Sequence, residues 1–170
     1  MKKIILTLFG AMLLTGCMAL DPDPTLLKQT SYAKPAIKSD YALNVSMNPK
    51  VERQASALGV TRLVQDSLKI ALDNANIFTK SGKNHYKVDA YIEQASQATF
   101  SFGRFNGKLK IHYLVKTPEG NTVFEKSVYT EAGSDKWYFS GAMRHTRARI
   151  VNVSKNVNQF VQELNSNLRK

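Results

Sequence analysis

The sequence predicts an α+β domain with one small sheet of about four strands and two helices on one face, in the order β-α-β-β-β-α. Three observations lead to this prediction. Four stretches alternate apolar and polar residues with the period of two that is typical of half-buried strands. Two other stretches carry apolar residues three and four positions apart, the pattern of a helix packed on a core. All six elements fall within residues 41–170, in an order that favours an antiparallel or mixed sheet covered by helices.

The predicted strands cover residues 41–47, 86–93, 109–116 and 122–129. Asn48-Pro49 ends the first strand, and Pro118-Glu119-Gly120-Asn121 is a turn that should join the last two strands in a hairpin. The first helix is predicted over residues 61–76, with a start as early as Ser56. The second follows Ser140, a candidate N-cap, and continues to Leu168.

The first 17 residues are typical of a secretory leader that ends in a lipidation site. Lys2 and Lys3 form a positive start, and the apolar stretch over residues 4–13 is too short to span a bilayer. Leu14-Thr15-Gly16-Cys17 then resembles the lipobox of bacterial lipoproteins. The resemblance implies cleavage after residue 16, with a diacylglycerol group and an N-acyl chain on Cys17 and no other cofactor.

An ordinary cleaved signal with an incidental cysteine is the alternative. Cys17 is the only cysteine, so it has no disulfide partner in the chain, and lipid would remove a reactive thiol from an oxidising compartment. Met18 follows the cysteine where enteric lipoproteins of the inner membrane carry Asp. The same resemblance therefore implies an outer-membrane location, facing the periplasm.

Residues 17–40 are predicted to be the lipidated cysteine and a flexible tether. Pro22, Pro24 and Pro35 lie here among polar residues, a composition that resists helix formation and keeps the backbone extended. Some twenty extended residues at about 3 Å each would hold the domain several nanometres from the bilayer. The expected organisation is a leader over residues 1–16, a tether over 17–40 and one periplasmic domain over 41–170.

Composition and charge narrow the classes of partner. Of the 170 residues, 43% are hydrophobic and 22% are charged, as in a folded globular domain. The formal net charge of +11 falls to +9 if Lys2 and Lys3 leave with the leader. Basic proteins favour anionic partners, which in the envelope are phospholipid headgroups, lipopolysaccharide phosphates, cell-wall polymers or acidic protein faces. We expect no nucleic acid partner for an exported chain.

No catalytic constellation can be recognised in the sequence. His85, His112 and His145 are far apart and have no second ligand at metal-binding spacing. There is no Gly-x-Ser-x-Gly elbow and no glycine-rich phosphate loop. We therefore predict a non-enzyme without a metal, and a hydrolase of envelope polymers is the least favoured reading.

The best candidate binding site lies where the last helix begins. Aromatic residues there are followed by cations, and cations near a helix N-terminus oppose the macrodipole, so that a bound anion would relieve the conflict. Alternatively, the aromatics cap the core and the arginines are solvated or paired with strand carboxylates. The candidate residues for anion or partner binding are Trp137, Tyr138, Arg144, Arg147 and Arg149, with Phe139 and His145 between them.

A second candidate is a contact loop formed by Phe102, Arg104 and Phe105 beside Gly103. Phe105 falls in a predicted turn, where an exposed aromatic often marks a contact surface. A bulged strand with core aromatics is the alternative.

The overall layout resembles YajG-like outer-membrane lipoproteins. The resemblance covers roughly residues 41–168 and rests on the lipobox at Cys17, the first helix, the strand over residues 86–95, the hairpin with its Gly120-Asn121 turn and the long C-terminal helix. It is a similarity of layout, and those families carry no catalytic motif, so it implies no site residue. Related small folds serve as lipoprotein partners of envelope transporters and cell-wall synthases.

These inferences favour a membrane-anchored accessory or adaptor lipoprotein that binds an envelope protein complex or an anionic lipid or cell-wall component. The alternative is a structural subunit of a secretion or conjugation apparatus, or a surface-exclusion lipoprotein.

Overall fold

A computed structural model describes residues 20–79, 85–97 and 105–170. These residues form a four-stranded sheet and two long helices, which confirms the predicted α+β class and the order of elements. The strands are β1 (Asp40–Met47), β2 (His85–Gln97), β3 (Gly107–Lys116) and β4 (Thr122–Ala132). The long helices are α1 (Val60–Ala75) and α2 (Gly141–Leu168).

The sheet is mixed, with the strands side by side in sequence order. β1 and β2 are parallel, whereas β2, β3 and β4 pair antiparallel. A parallel pair needs a crossover connection, and α1 provides it between β1 and β2. The end of β2 and the start of β3 meet where Gln97 pairs with Gly107. Asn152 of α2 donates to the Gly107 carbonyl at 2.7 Å, so the first turns of α2 lie at this same end of the sheet.

The core lies between the helices and one face of the sheet. Alternate side chains of the inner strands point into it, as the period of two predicts. On β2 and β3 these buried residues are Val88, Ala90, Ile92, Leu109, Ile111, Tyr113 and Val115. On the helices they include Leu63, Val64, Leu68 and Leu72 of α1 and Val153, Val157, Phe160, Val161 and Leu164 of α2.

A buried polar network fixes how α2 crosses the sheet. The Tyr113 hydroxyl donates to Asn156 Oδ1 at 2.8 Å, and Asn156 Nδ2 donates to the Val128 carbonyl at 3.0 Å. The Tyr113 ring stacks on Phe160, with centroids 4.0 Å apart. Burial raises the pKa of the Tyr113 hydroxyl well above its usual value. Sliding α2 by one residue would leave these buried groups unpaired, so the network sets the register of helix on sheet.

The start of α1 differs from the prediction that it begins as early as Ser56. Residues Ala55–Ala57 form a separate 3-10 turn, and α1 begins at Val60. Gly59 lies between them with a φ of 75°, a left-handed conformation that interrupts the helix and favours glycine. Leu58 is left 78% exposed by this break.

The largest difference concerns the segment predicted to be a flexible tether. Its described part, residues 20–39, packs along the two helices, and we call it the strap. Leu27 is completely buried, and Ile37 is 8% exposed and bridges to Phe78. Composition suggested a free chain because Pro and polar residues are frequent here, but these two apolar side chains are buried and attach the strap to the domain.

Side-chain amides of both helices donate hydrogen bonds to backbone carbonyls of the strap. Asn158 of α2 donates to the Leu26 carbonyl at 2.6 Å, and Asn74 of α1 donates to the Leu27 carbonyl at 3.1 Å. Leu20, at the first described position, packs at Gly59, where an added Cβ would lie 2.8 Å from the Leu20 side chain. The strap therefore runs from the start of α2 towards the C-terminal end of α1.

We predict that Leu27→Ala lowers the free energy of unfolding by about 2–5 kcal/mol, because it removes a fully buried side chain and leaves a cavity. Leu58→Ala is the matched control. Leu58 is 78% exposed, so its loss should change the free energy by less than about 0.5 kcal/mol. Urea denaturation measures both, and equal small effects would mean that the strap is the free tether predicted from composition.

Candidate functional site

The loop before α2 places two aromatic side chains in solvent. β4 ends at Ala132, and Ser134 Oγ donates to the Lys136 carbonyl at 2.5 Å, which holds the loop in a tight turn. Trp137 is 78% exposed and Phe139 is 92% exposed, and their rings meet edge to face with centroids 6.4 Å apart. Tyr138 between them is half-buried. Two of the three predicted aromatics thus face outward instead of capping the core.

Arg147 lies in the second turn of α2 and joins two distant parts of the chain. Its side chain is 5% exposed and forms ion pairs with Asp135 of the loop and Asp23 of the strap, at 2.5 Å in both cases. The contact with Asp135 is bidentate, since Nη2 also donates to Oδ2 at 2.6 Å. Among the predicted anion-binding residues, Arg147 is therefore already occupied by carboxylates of the chain itself, and its role is structural.

The carboxylates of this cluster are held in their charged form. Hydrogen bonds from Thr25 and Arg147 lower the pKa of Asp23 to about 2. The hydrogen bonds from Arg147 also lower the pKa of Asp135, and both carboxylates raise the pKa of the guanidinium. Neither carboxylate can exchange a proton readily near neutral pH, so neither is suited to general acid or base catalysis.

Arg149 points to the other side of α2 and borders an open cleft. Its guanidinium donates to Gln97 Oε1 at 3.1 Å and to the carbonyls of Leu58 and Ala55, both at 3.3 Å. All three acceptors are uncharged, and no described carboxylate forms an ion pair with Arg149. The cleft has a volume of about 500 Å³, and Ser56, Gln97, His145 and Arg149 contribute to its lining. We call it the arginine cleft.

Further positive charge lies beside the arginine cleft. His145 follows Arg144 in the first turn of α2, and its backbone carbonyl accepts a hydrogen bond from Gln97 Nε2 at 3.0 Å. Burial, together with the charges of Arg149 and Arg144, lowers the pKa of the His145 imidazole. The positive charges nearby thus disfavour one more proton on His145.

Phe105 is not the exposed contact residue that the sequence predicted. It is 5% exposed and packs on the His145 ring, with centroids 3.8 Å apart, while the Arg144 guanidinium lies 5.2 Å from its centroid. Its apolar ring covers the start of α2, so Phe105 is part of the packing and not an exposed contact. Phe102 and Arg104 of the same predicted loop, and the predicted lipidation site Cys17, lie outside the described residues.

The described histidines remain apart in the fold. His112 lies on the sheet face opposite the helices, where Nε2 is 3.3 Å from Glu125 and Nδ1 is 3.2 Å from Ser127. His145 lies at the start of α2, and His85 begins β2. No group of three or more metal-ligating side chains occurs within residues 20–79, 85–97 and 105–170.

Sequence reasoning missed the residues that reach this end from elsewhere in the chain. Asp23 could have been recognised from the sequence, because Asp followed by Pro24 and Thr25 is typical of a helix N-cap. In the structure, it caps the 3-10 turn Pro24–Leu26. Its partnership with Arg147, 124 residues away, has no local signal. The same holds for Gln97, which reaches Arg149 from the end of β2.

No protein-family model and no curated protein matches the chain. Solved structures share its fold. Protein XCC0632 from Xanthomonas campestris is 11% identical, with a TM-score of 0.51 over 87% of this chain and 89% of that one. A candidate lipoprotein from Caulobacter crescentus is 11% identical, with a TM-score of 0.50 over 86% and 94%. The hypothetical protein CT253 from Chlamydia trachomatis is 9% identical, with a TM-score of 0.50 over 77% and 98%.

Helices α1 and α2 both lack a stretch that is long and apolar enough to cross a bilayer, and so does every other helix in the described part of the chain.

The Asp23 carboxylate predicts a specific pH dependence of stability. Its pKa of about 2 lies below the value of about 4 in an unfolded chain. Asp23 therefore contributes stability above pH 4, and this contribution disappears as the pH falls through 2.

We expect Asp23→Asn to be less stable than the unchanged protein near neutral pH and equally stable near pH 2, as measured by chemical denaturation at each pH. Asp21→Asn, an exposed neighbour in the strap, is the control and should leave the curve unchanged. A constant gap between Asp23→Asn and the unchanged protein from pH 2 to 7 would contradict the ion pair.

Proposed function

We propose that the protein is a lipid-anchored accessory protein of the bacterial envelope, which binds an anionic envelope component at the arginine cleft. The leader and the Leu14-Thr15-Gly16-Cys17 sequence support a diacylglycerol and N-acyl anchor on Cys17. Met18 after that cysteine supports the outer membrane as the location, with the domain in the periplasm. The shared fold with a candidate lipoprotein from Caulobacter crescentus agrees with such a protein.

The observation that carries the proposed binding role is the contrast between Arg147 and Arg149. Both lie in the first turns of α2, but two carboxylates neutralise Arg147, whereas the acceptors of Arg149 are all uncharged. Three guanidinium donors of Arg149 are used to hold it in the cleft wall, which leaves two N–H groups for a ligand. A half-buried, oriented and uncompensated cation beside His145 suits a phosphate or carboxylate group.

A binding role rather than a catalytic one is part of the proposal. The two carboxylates nearest to this end of α2 are fixed as anions by Arg147, so neither of them is a base with a pKa near 7. The proposed anionic component is a lipid headgroup or a cell-wall polymer, which agrees with the strongly basic charge of the chain.

The anchor predicts a change of location for one substitution. Cys17→Ser removes the only thiol, so labelled palmitate should no longer be incorporated and the protein should move from the membrane fraction to the soluble periplasmic fraction. Mass spectrometry of the unchanged protein should show the mass of three acyl chains on residue 17. A protein that stays in the membrane fraction after Cys17→Ser would contradict anchoring by lipid.

The arginine cleft predicts anion binding that depends on Arg149. We expect Arg149→Gln to weaken binding of inorganic phosphate and of a soluble short-chain phosphatidylglycerol by roughly tenfold, the loss of one charge-assisted hydrogen bond. Lys69→Gln removes one exposed positive charge of α1 and is the matched control, with little expected effect.

Nuclear magnetic resonance provides an independent measurement at the same cleft. The pKa of His145 should lie below its ordinary value of about 6.5 without ligand and should rise when an anion binds, because the anion offsets the charges of Arg144 and Arg149. Equal affinities for Arg149→Gln and Lys69→Gln, with an unchanged His145 titration, would exclude the cleft as the binding site.

A further inference from the structure

Large apolar side chains are exposed mainly at one end of the domain. Within the described ranges, the three most exposed large hydrophobic residues are Leu58, Trp137 and Phe139, at 78%, 78% and 92%. The others, Tyr32, Tyr91 and Tyr129, are at most 48% exposed and carry a hydroxyl that water can solvate. A soluble domain gains nothing from placing three such side chains in water, so their exposure indicates a surface that is covered.

The first turns of α2 hold these three residues at the same end. Arg149 donates to the backbone carbonyl of Leu58, and Arg147 holds Asp135, two residues before Trp137. Phe139 precedes Ser140, the N-cap of α2. We call Leu58, Trp137 and Phe139 together the aromatic end.

The path of the strap brings the predicted anchor to the aromatic end. Arg147 holds Asp23, and Leu20 packs at Gly59, directly beside Leu58. Only three residue steps separate Leu20 from Cys17, so at about 3.6 Å per residue the lipidated cysteine lies within about 11 Å of Leu20. This limit replaces the reach of several nanometres expected for a free tether of about twenty residues.

We infer that the aromatic end lies in the interfacial layer of the same bilayer that holds the Cys17 lipid, with Leu58, Trp137 and Phe139 inserted among the headgroups. The inference rests on the lipid anchor of the proposed function. According to this inference, lipid covers the aromatic end, and the domain has one fixed orientation on the membrane.

The chemistry of the aromatic end fits a lipid surface. Trp is enriched where membranes meet water, because its ring is apolar while its indole N–H reaches the polar headgroups. Lys136 is exposed next to Trp137, and Arg144 lies one turn into α2, so cations flank the aromatic pair at the level of the phosphates. With the anchor within about 11 Å, the bilayer is also the partner at the highest effective concentration.

Insertion adds a physical advantage to the anchor. The proposed acyl chains on Cys17 would hold the protein at the bilayer but would not by themselves fix its orientation, so additional contacts decide how the domain is oriented. Two aromatic side chains and one leucine would oppose rotation about the short link at Cys17. The strands and α2 lead away from this end, so the opposite face of the sheet, with Tyr91 and Tyr129, would remain in the periplasm.

The single tryptophan makes the inference directly measurable. Trp137 is the only tryptophan of the chain, so intrinsic fluorescence reports on the aromatic end alone. The full lipidated protein is reconstituted in vesicles of phosphatidylethanolamine and phosphatidylglycerol, with or without lipids brominated near the headgroup. The matched control is the double variant Trp137→Phe with Tyr91→Trp, which moves the tryptophan to the outer face of the sheet, five residue positions along β3 from the end where Gly107 contacts α2.

We expect Trp137 emission to shift to shorter wavelength in vesicles and to be quenched by brominated lipid at least roughly twofold more than in the control variant. Acrylamide, a quencher dissolved in water, should show the reverse order. Equal quenching of both proteins by brominated lipid would overturn the inference.

Three further outcomes separate the inference from the proposed function. If the protein floats with the vesicles but Trp137 stays accessible to acrylamide, the anchor is intact, but the aromatic end does not face the membrane and the inference is overturned. If Trp137 is protected from acrylamide but not quenched by brominated lipid, a protein covers the aromatic end and the inference is again overturned. If the protein carries no lipid and does not float, the anchor itself fails, and with it the premise.

Discussion

Arg147 is a buried cation that holds together three parts of the chain that are far apart in sequence. It lies in α2, and its two carboxylate partners belong to the strap and to the loop after β4. A guanidinium buried without partners would cost several kcal/mol, so the two carboxylates have to be in place whenever α2 is packed on the sheet. The strap at Asp23 and the loop that carries Trp137 and Phe139 are both held to α2 by this interaction, which adds to the packing of Leu27.

The strap changes what the proposed lipid anchor would do for this domain. A flexible tether would let the domain diffuse within several nanometres of the bilayer, whereas a strap that is packed as far as Leu20 would leave three residue steps to an anchor at Cys17. A short link restricts both distance and orientation. With the proposed anchor, the membrane would form part of the environment of the start of α2, and positive charge at this end would lie close to lipid phosphates.

The neighbouring arginines show how position on a helix separates a charge neutralised by carboxylates from a charge held by uncharged acceptors. Residues 147 and 149 lie two positions apart and therefore face opposite sides of α2. One side meets the strap and the loop, both of which carry Asp, and the other meets a carboxamide and backbone carbonyls. The same residue type is thus neutralised on one side and left as an oriented charge on the other. The helix macrodipole disfavours both, but only Arg149 would gain from an external anion.

The sequence by itself determined the order of the main strands and helices and their layering, because apolar periodicity depends only on neighbours a few positions apart. The strands 109–116 and 122–129, the start of α2 at Ser140 and its apolar stripe could all be predicted in this way. The sequence also marked the aromatic and basic residues before and within α2 as a candidate site. Only the tertiary structure decided that Leu27 belongs to the core and that Phe105 is buried. It also decided that Arg147 forms ion pairs with carboxylates, whereas Arg149 donates to uncharged acceptors. Their burial and partners come from segments up to 124 residues away, and no local pattern encodes contacts at that separation.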